Sequence, residues 1–112
     1  MYAVVKAGIV TKFAGKPSLA QMQEAVEGLS CSAISFPRKR SGITVDIFVN
    51  DEGLLIGQVI HYRRTADGSP LAGPLLVTAS NLCGETVAAD DDDLSRALCC
   101  VTLLDQPLVA EW

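Results

Sequence analysis

The sequence predicts one α+β domain spanning residues 1–112, with a mainly antiparallel sheet, a central hairpin and two helices packed against it. Three observations lead there. Capping signals open two helical segments, one at Ser18 and one at Asp90. Period-two alternation runs through residues 43–49 and is followed by a strong turn and a second apolar run. The 112 residues, 49% of them hydrophobic, suffice for one core without disulfides or metal and are too few for two domains.

Residues 2–10, rich in Val and Ile, read as the first strand, and residues 11–17 as a loop. Ser18 stands where a helix N-cap is needed, and Gln21 completes a capping-box pattern. Leu19, Met22, Val26 and Leu29 recur at spacings of three and four, which gives this helix one apolar face, with Gly28 as its stop. Residues 30–36 read as a short strand. In residues 43–49, Ile43, Val45, Ile47 and Val49 alternate with Thr44, Asp46 and Phe48, the pattern of a half-buried strand. Asn50-Asp51-Glu52-Gly53 supplies turn chemistry, and residues 54–60 read as the return strand of a hairpin. Residues 75–79 form another strand, entered through Gly73-Pro74. A short strand follows the turn at Asn81. Asp90, Asp91, Asp92 and Asp93 open the last helix, where acids favour the dipole and cap free amides. Leu94, Ala97, Leu98 and Val101 form its inward face, and Pro107 breaks it. Trp112 is expected to staple the core or to contact a partner.

No segment reaches the roughly 18 apolar residues that span a bilayer, so no membrane partner is expected. Lys6 in the middle of MYAVVKAGIV argues against a leader peptide. Cys31, Cys83, Cys99 and Cys100 make no C-x-x-C pair, and His61 is the only histidine, so no metal site and no cofactor are expected. The cysteines read as small buried hydrophobes in a reducing, cytoplasmic setting.

No Gly-rich phosphate loop, G-x-S-x-G or H-E-x-x-H is present, and no catalytic residue set is assigned. An enzyme using His61 or Cys83 is the weakest of three functional readings, because a lone His in a hairpin is more often structural or solvated and nothing in the sequence supplies a base for Cys83.

Charge is more informative. Through Arg64 the chain has eight basic and five acidic residues, a balance of +3; from Thr65 onward it has one basic and eight acidic, a balance of −7. In the hairpin register, Ile43 opposite Ile60 sets Arg40 opposite Arg63. That gathers Arg38, Lys39, Arg40, Arg63 and Arg64 at one end, beside His61 and Tyr62. Such a cluster suits an anionic partner (a nucleic acid, a nucleotide or a phosphate), with Tyr62 as a stacking face. The plainer reading is a solvated basic edge that opposes aggregation. Asp90, Asp91, Asp92 and Asp93 likewise read first as a cap and second as an anionic surface for a host protein.

Residues 19–28 (LAQMQEAVEG), 46–57 (DIFVNDEGLLIG) and 71–80 (LAGPLLVTAS), followed by an acidic helix start, together resemble a family of small uncharacterised domains found in bacteria, plasmids and phages. Relatives carry a Pro-and-Asn segment after the position of Gly57, where this chain has Gln58-Val59-Ile60-His61-Tyr62-Arg63. The resemblance implies a mobile-element or accessory context and no established activity. The leading expectation is thus a non-enzymatic accessory protein that binds an anionic partner through the basic cluster. The alternative is a protein-binding modulator or counter-defence factor that uses the acidic region.

Overall fold

A computed structural model describes residues 1–28, 31–37, 42–50, 52 and 56–108. Its α+β class is the one expected: the described residues form two helices and antiparallel sheets. Strands β1 (Tyr2–Lys6) and β2 (Ile9–Phe13) are followed by helix α1 (Leu19–Val26), then β3 (Cys31–Pro37) and β4 (Thr44–Asn50). Next come β5 (Ile60–Arg64), β6 (Pro70–Ala72), β7 (Leu75–Ser80), β8 (Thr86–Val87), helix α2 (Asp91–Cys99) and β9 (Val101–Leu108).

The larger sheet has the order β2-β1-β7-β4-β3, with β8 continuing along β7 beyond the end of β1. The smaller has the order β6-β5-β9. Side-chain alternation splits the large sheet into two faces. On one, Ala3, Val5, Val45, Ile47, Leu75 and Val77 are buried beneath Leu94 and Ala97 of α2 and Tyr62 and Leu71 of the small sheet. On the other, Tyr2 and Leu76 pack beneath Val26 of α1, with Val4, Met22, Ala25 and Phe48 partly buried around them. Strand β7 is buried on both faces from Leu75 to Ala79.

Both helix starts are as the sequence predicts. The Ser18 side chain accepts from the Gln21 N–H at 3.2 Å, and the Gln21 side chain accepts from the Ser18 N–H at 2.8 Å. Asp90 and Asp93 make the same reciprocal pair at 2.8 and 2.9 Å. Helix α1 ends where Glu27 turns left-handed at φ 58°, followed by Gly28. A Cβ on Gly28 would collide with the Asn50 amide, whose Nδ2 donates to the Glu27 carbonyl at 3.2 Å. Glycine there lets β4 close the helix end.

Four expectations are corrected. The first strand is two strands: Ala7 and Gly8, at φ 50° and 84°, make a two-residue turn with the primed geometry that suits hairpins. The expected pairing of residues 43–49 with 54–60 is not found among the described residues, which leave out 51 and 53–55. One edge of β4 is taken by β3 and the other by β7, with Ile47 opposite Val77. Residues 56–59 are turn and irregular chain, with Gly57 at φ 76°, and β5 joins the small sheet instead. Helix α2 ends at Cys99 and does not run to Pro107. Residues 101–108 are an edge strand, a position where a missing N–H is tolerated. Leu19, expected on the inward face of α1, is 69% exposed. The expected apolar residue Leu29 and the terminal Trp112 lie outside the described residues.

Candidate functional site

Among the described residues, the α1 side of the β1–β2 hairpin is open. In this register Tyr2 faces Phe13, Val4 faces Thr11 and Lys6 faces Ile9. Their side chains all project to the face that α1 only partly covers. The result is a groove of about 650 Å³, floored by these six residues and walled by Gln21, Glu24, Ala25 and Glu27 of the helix. Ile9 is 70% and Phe13 41% exposed along it, although Phe13 stacks on Tyr2 with ring centroids 5.0 Å apart.

One end of the groove is crossed by the Lys6–Glu27 ion pair at 3.5 Å. Beyond that pair a second cleft of about 230 Å³ continues over Gly57, Gln58, Val59 and Gly73 to His61, sharing Lys6, Glu27 and Pro74 with the first. Gln58 is fixed there because its Nε2 donates to the Val26 carbonyl at 3.2 Å. Gly73, at φ 75°, lies so close to the Gln58 amide that a Cβ would collide with it. The tip of the β1–β2 hairpin is tied to the small sheet, where the Gly8 N–H donates to the Tyr62 hydroxyl at 2.7 Å.

The basic cluster is not assembled by the expected register. Arg38, Lys39 and Arg40 lie outside the described residues, in the connection between β3 and β4. Arg63 sits opposite Pro70 on one side and Thr102 on the other, so it has no β4 neighbour. Tyr62 is 4% exposed and offers no stacking face. His61 is half-buried and lines the second cleft. Arg64 is half-buried with Nη1 3.9 Å from Asp67. The Ser69 backbone N–H donating to Asp67, with help from the Ser69 hydroxyl and Arg64, holds that carboxyl below its ordinary value.

The acidic run is structurally engaged. Asp93 is fully buried in the capping box. Asp91 accepts from the Lys12 ammonium at 2.8 Å, and Asp92 from the Arg96 guanidinium at 3.0 Å. Asp90, Asp91 and Asp92 remain exposed.

Three of the cysteines depart from the buried reading, and the side chain of the fourth, Cys31, lies outside the description. Cys83 and Cys99 are exposed. Cys83 lies in the Asn81 turn, where the Asn81 side chain accepts its N–H at 3.0 Å. Cys100 is half-buried, its Sγ donating to the Arg96 carbonyl at 3.3 Å, and burial, then the neighbouring Cys99, push its thiol up. Among the described residues no group of three or more His, Cys, Asp or Glu is placed to hold a metal ion, and no helix is long and apolar enough to cross a membrane.

Sequence reasoning did not find the groove. Its signal was present in the Ala7-Gly8 pair, which divides YAVVK from IVTKF and sets Tyr2, Val4, Lys6, Ile9, Thr11 and Phe13 on one face. Neither the family models, nor the curated proteins, nor the solved structures yield a match to this chain.

Proposed function

We propose that this chain is a non-enzymatic accessory protein that binds an apolar segment of another protein in the groove between the β1–β2 hairpin and α1. The observation that carries the reading is the exposure of Ile9 and Phe13 on the floor of an elongated groove that α1 leaves open. Contiguous apolar surface of this kind marks interaction sites. The groove is open along its length and continues into a second cleft, which suits an extended segment better than a compact small molecule. The mobile-element context implied by the family resemblance would supply host proteins as partners.

A second reading, an anionic partner held by Arg38, Lys39, Arg40, Arg63 and Arg64, keeps the charge argument but has no pairing of Arg40 with Arg63 to support it. One experiment separates the two. The chain and its Ala25→Arg and Arg63→Ala variants are used to capture partners from cell lysate, with and without nuclease and at two salt concentrations. The groove reading predicts a protein that survives nuclease and salt, is lost with Ala25→Arg and is kept with Arg63→Ala. Recovery of nucleic acid that is lost at high salt and with Arg63→Ala would overturn it.

A further inference from the structure

Strand β2 is the edge of the large sheet, with β1 on one side and no strand on the other among the described residues. Its backbone groups can be assigned to the two sides. A two-residue turn makes Lys6 and Ile9 a hydrogen-bonded pair. Alternation along the ladder then makes Val4–Thr11 and Tyr2–Phe13 hydrogen-bonded pairs too. The N–H and C=O of Val10 and Lys12 therefore point away from β1, along the open edge.

Edges are usually protected by proline, by a bulge or by a charge standing free on the strand. Strand β2 has no proline, and its register with β1 runs unbroken from Phe13 to Ile9. Its one charge, Lys12, is turned to the α2 face and neutralised by Asp91 at 2.8 Å. All five residues are exposed, and the sequence Ile-Val-Thr-Lys-Phe is mainly β-branched and aromatic.

The strand is also complementary to itself. A two-fold axis through Thr11 sets Val10 opposite Lys12 of a second copy, so the outward groups of both residues are satisfied on each chain. On the groove face the same register sets Ile9 against Phe13 and Thr11 against Thr11, an apolar–aromatic pair flanking a threonine pair on each side. Each Lys12 stands diagonally from its copy and keeps its own Asp91, so no bare like-charge contact opposes the pairing.

We infer that two copies of this chain associate by antiparallel pairing of their β2 edges about Thr11, which continues the large sheet across the two-fold and brings the two grooves side by side. This needs no other protein, so it stands apart from the groove's occupant.

The test is solution mass against concentration. The chain is expected to move from 11.9 kDa toward twice that mass as concentration rises. Val10→Pro removes an outward N–H and leaves the β1 ladder bonds in place, so it should stay monomeric with an unchanged circular dichroism spectrum. In a Cys83→Ser, Cys99→Ser background, Thr11→Cys should cross-link into a covalent dimer under mild oxidation, whereas Val10→Cys, which faces Lys12 and not itself, should not. A single-chain mass at every concentration, dimerisation of Val10→Pro equal to that of the parent, or equal cross-linking at positions 10 and 11 would each overturn the inference.

Discussion

The two faces of the large sheet are covered very differently. On one, α2 and the three-stranded sheet together bury Ala3, Val5, Val45, Ile47, Leu75 and Val77. On the other, a single eight-residue helix does the covering among the described residues, and Val26 is its only fully buried side chain. Dimensions explain the difference. A helix of eight residues is about 12 Å long and about 10 Å wide with side chains. Five strands at about 4.8 Å spacing span about 19 Å. One short helix placed over the middle of such a sheet leaves the outer hairpin bare. The covered face therefore holds the fold, and the open face is available for binding.

The largest test of that contrast is Leu75→Ala on the covered face. Leu75 is 1% exposed, and its truncation should cost about 3 kcal/mol, read from the midpoint of denaturant unfolding. A cost under about 1 kcal/mol would mean the covered face is far looser than described.

Gly73→Ala comes next. The new Cβ meets the Gln58 amide and the backbone stays at φ 75°, so a loss of about 1–2 kcal/mol is expected. Adding Gln58→Ala should recover the steric part and leave the backbone strain. No recovery would locate the cost elsewhere.

Tyr62→Phe removes the hydroxyl that accepts the Gly8 N–H and should cost about 1 kcal/mol. Amide exchange at Gly8 should quicken locally. Unchanged exchange there would show that the hairpin tip is held by packing alone.

Ile9→Ser, on the open face, should change stability by less than about 0.5 kcal/mol, because Ile9 is 70% exposed. A loss as large as that of Leu75→Ala would erase the distinction between the faces.

The smallest effect concerns pH. The Asp67 carboxyl titrates below its ordinary value of 3.8 in the folded chain, so its contribution is present above that value and is lost as pH falls through the lower folded value. Asp67→Asn should therefore be less acid-sensitive than the parent in an acid titration of unfolding, and identical acid limbs would contradict the assignment.

What the sequence made legible followed from the range of the interactions. Both helix starts depend on residues three apart, Ser18 with Gln21 and Asp90 with Asp93, and both were found. Strand β7 was found because its apolar run is bounded by Gly73-Pro74 and Asn81. Strand pairing depends on distant competitors. Residues 54–60 looked like the natural partner of β4, yet β7, some thirty residues downstream of β4, takes that edge because its side chains can be buried on both faces. The expected register of the basic cluster depended on that hairpin, and Arg63 instead lies opposite Pro70 and Thr102, while Arg38, Lys39 and Arg40 lie outside the described residues. The groove was missed because the Ala7-Gly8 turn is short and flanked by valines and isoleucine, so two strands read as one. Pro107 suggested the end of a helix, when an edge strand accepts it equally well.

The most direct measurement of the central claim is a titration of the captured protein partner into the isotope-labelled chain, followed by amide chemical shifts. The account predicts that the perturbed amides belong to Val4, Lys6, Ile9, Thr11, Phe13 and the facing residues Gln21 to Ala25 of α1. Perturbations confined to β5 around Arg63, or to the exposed aspartates at the start of α2, would contradict it.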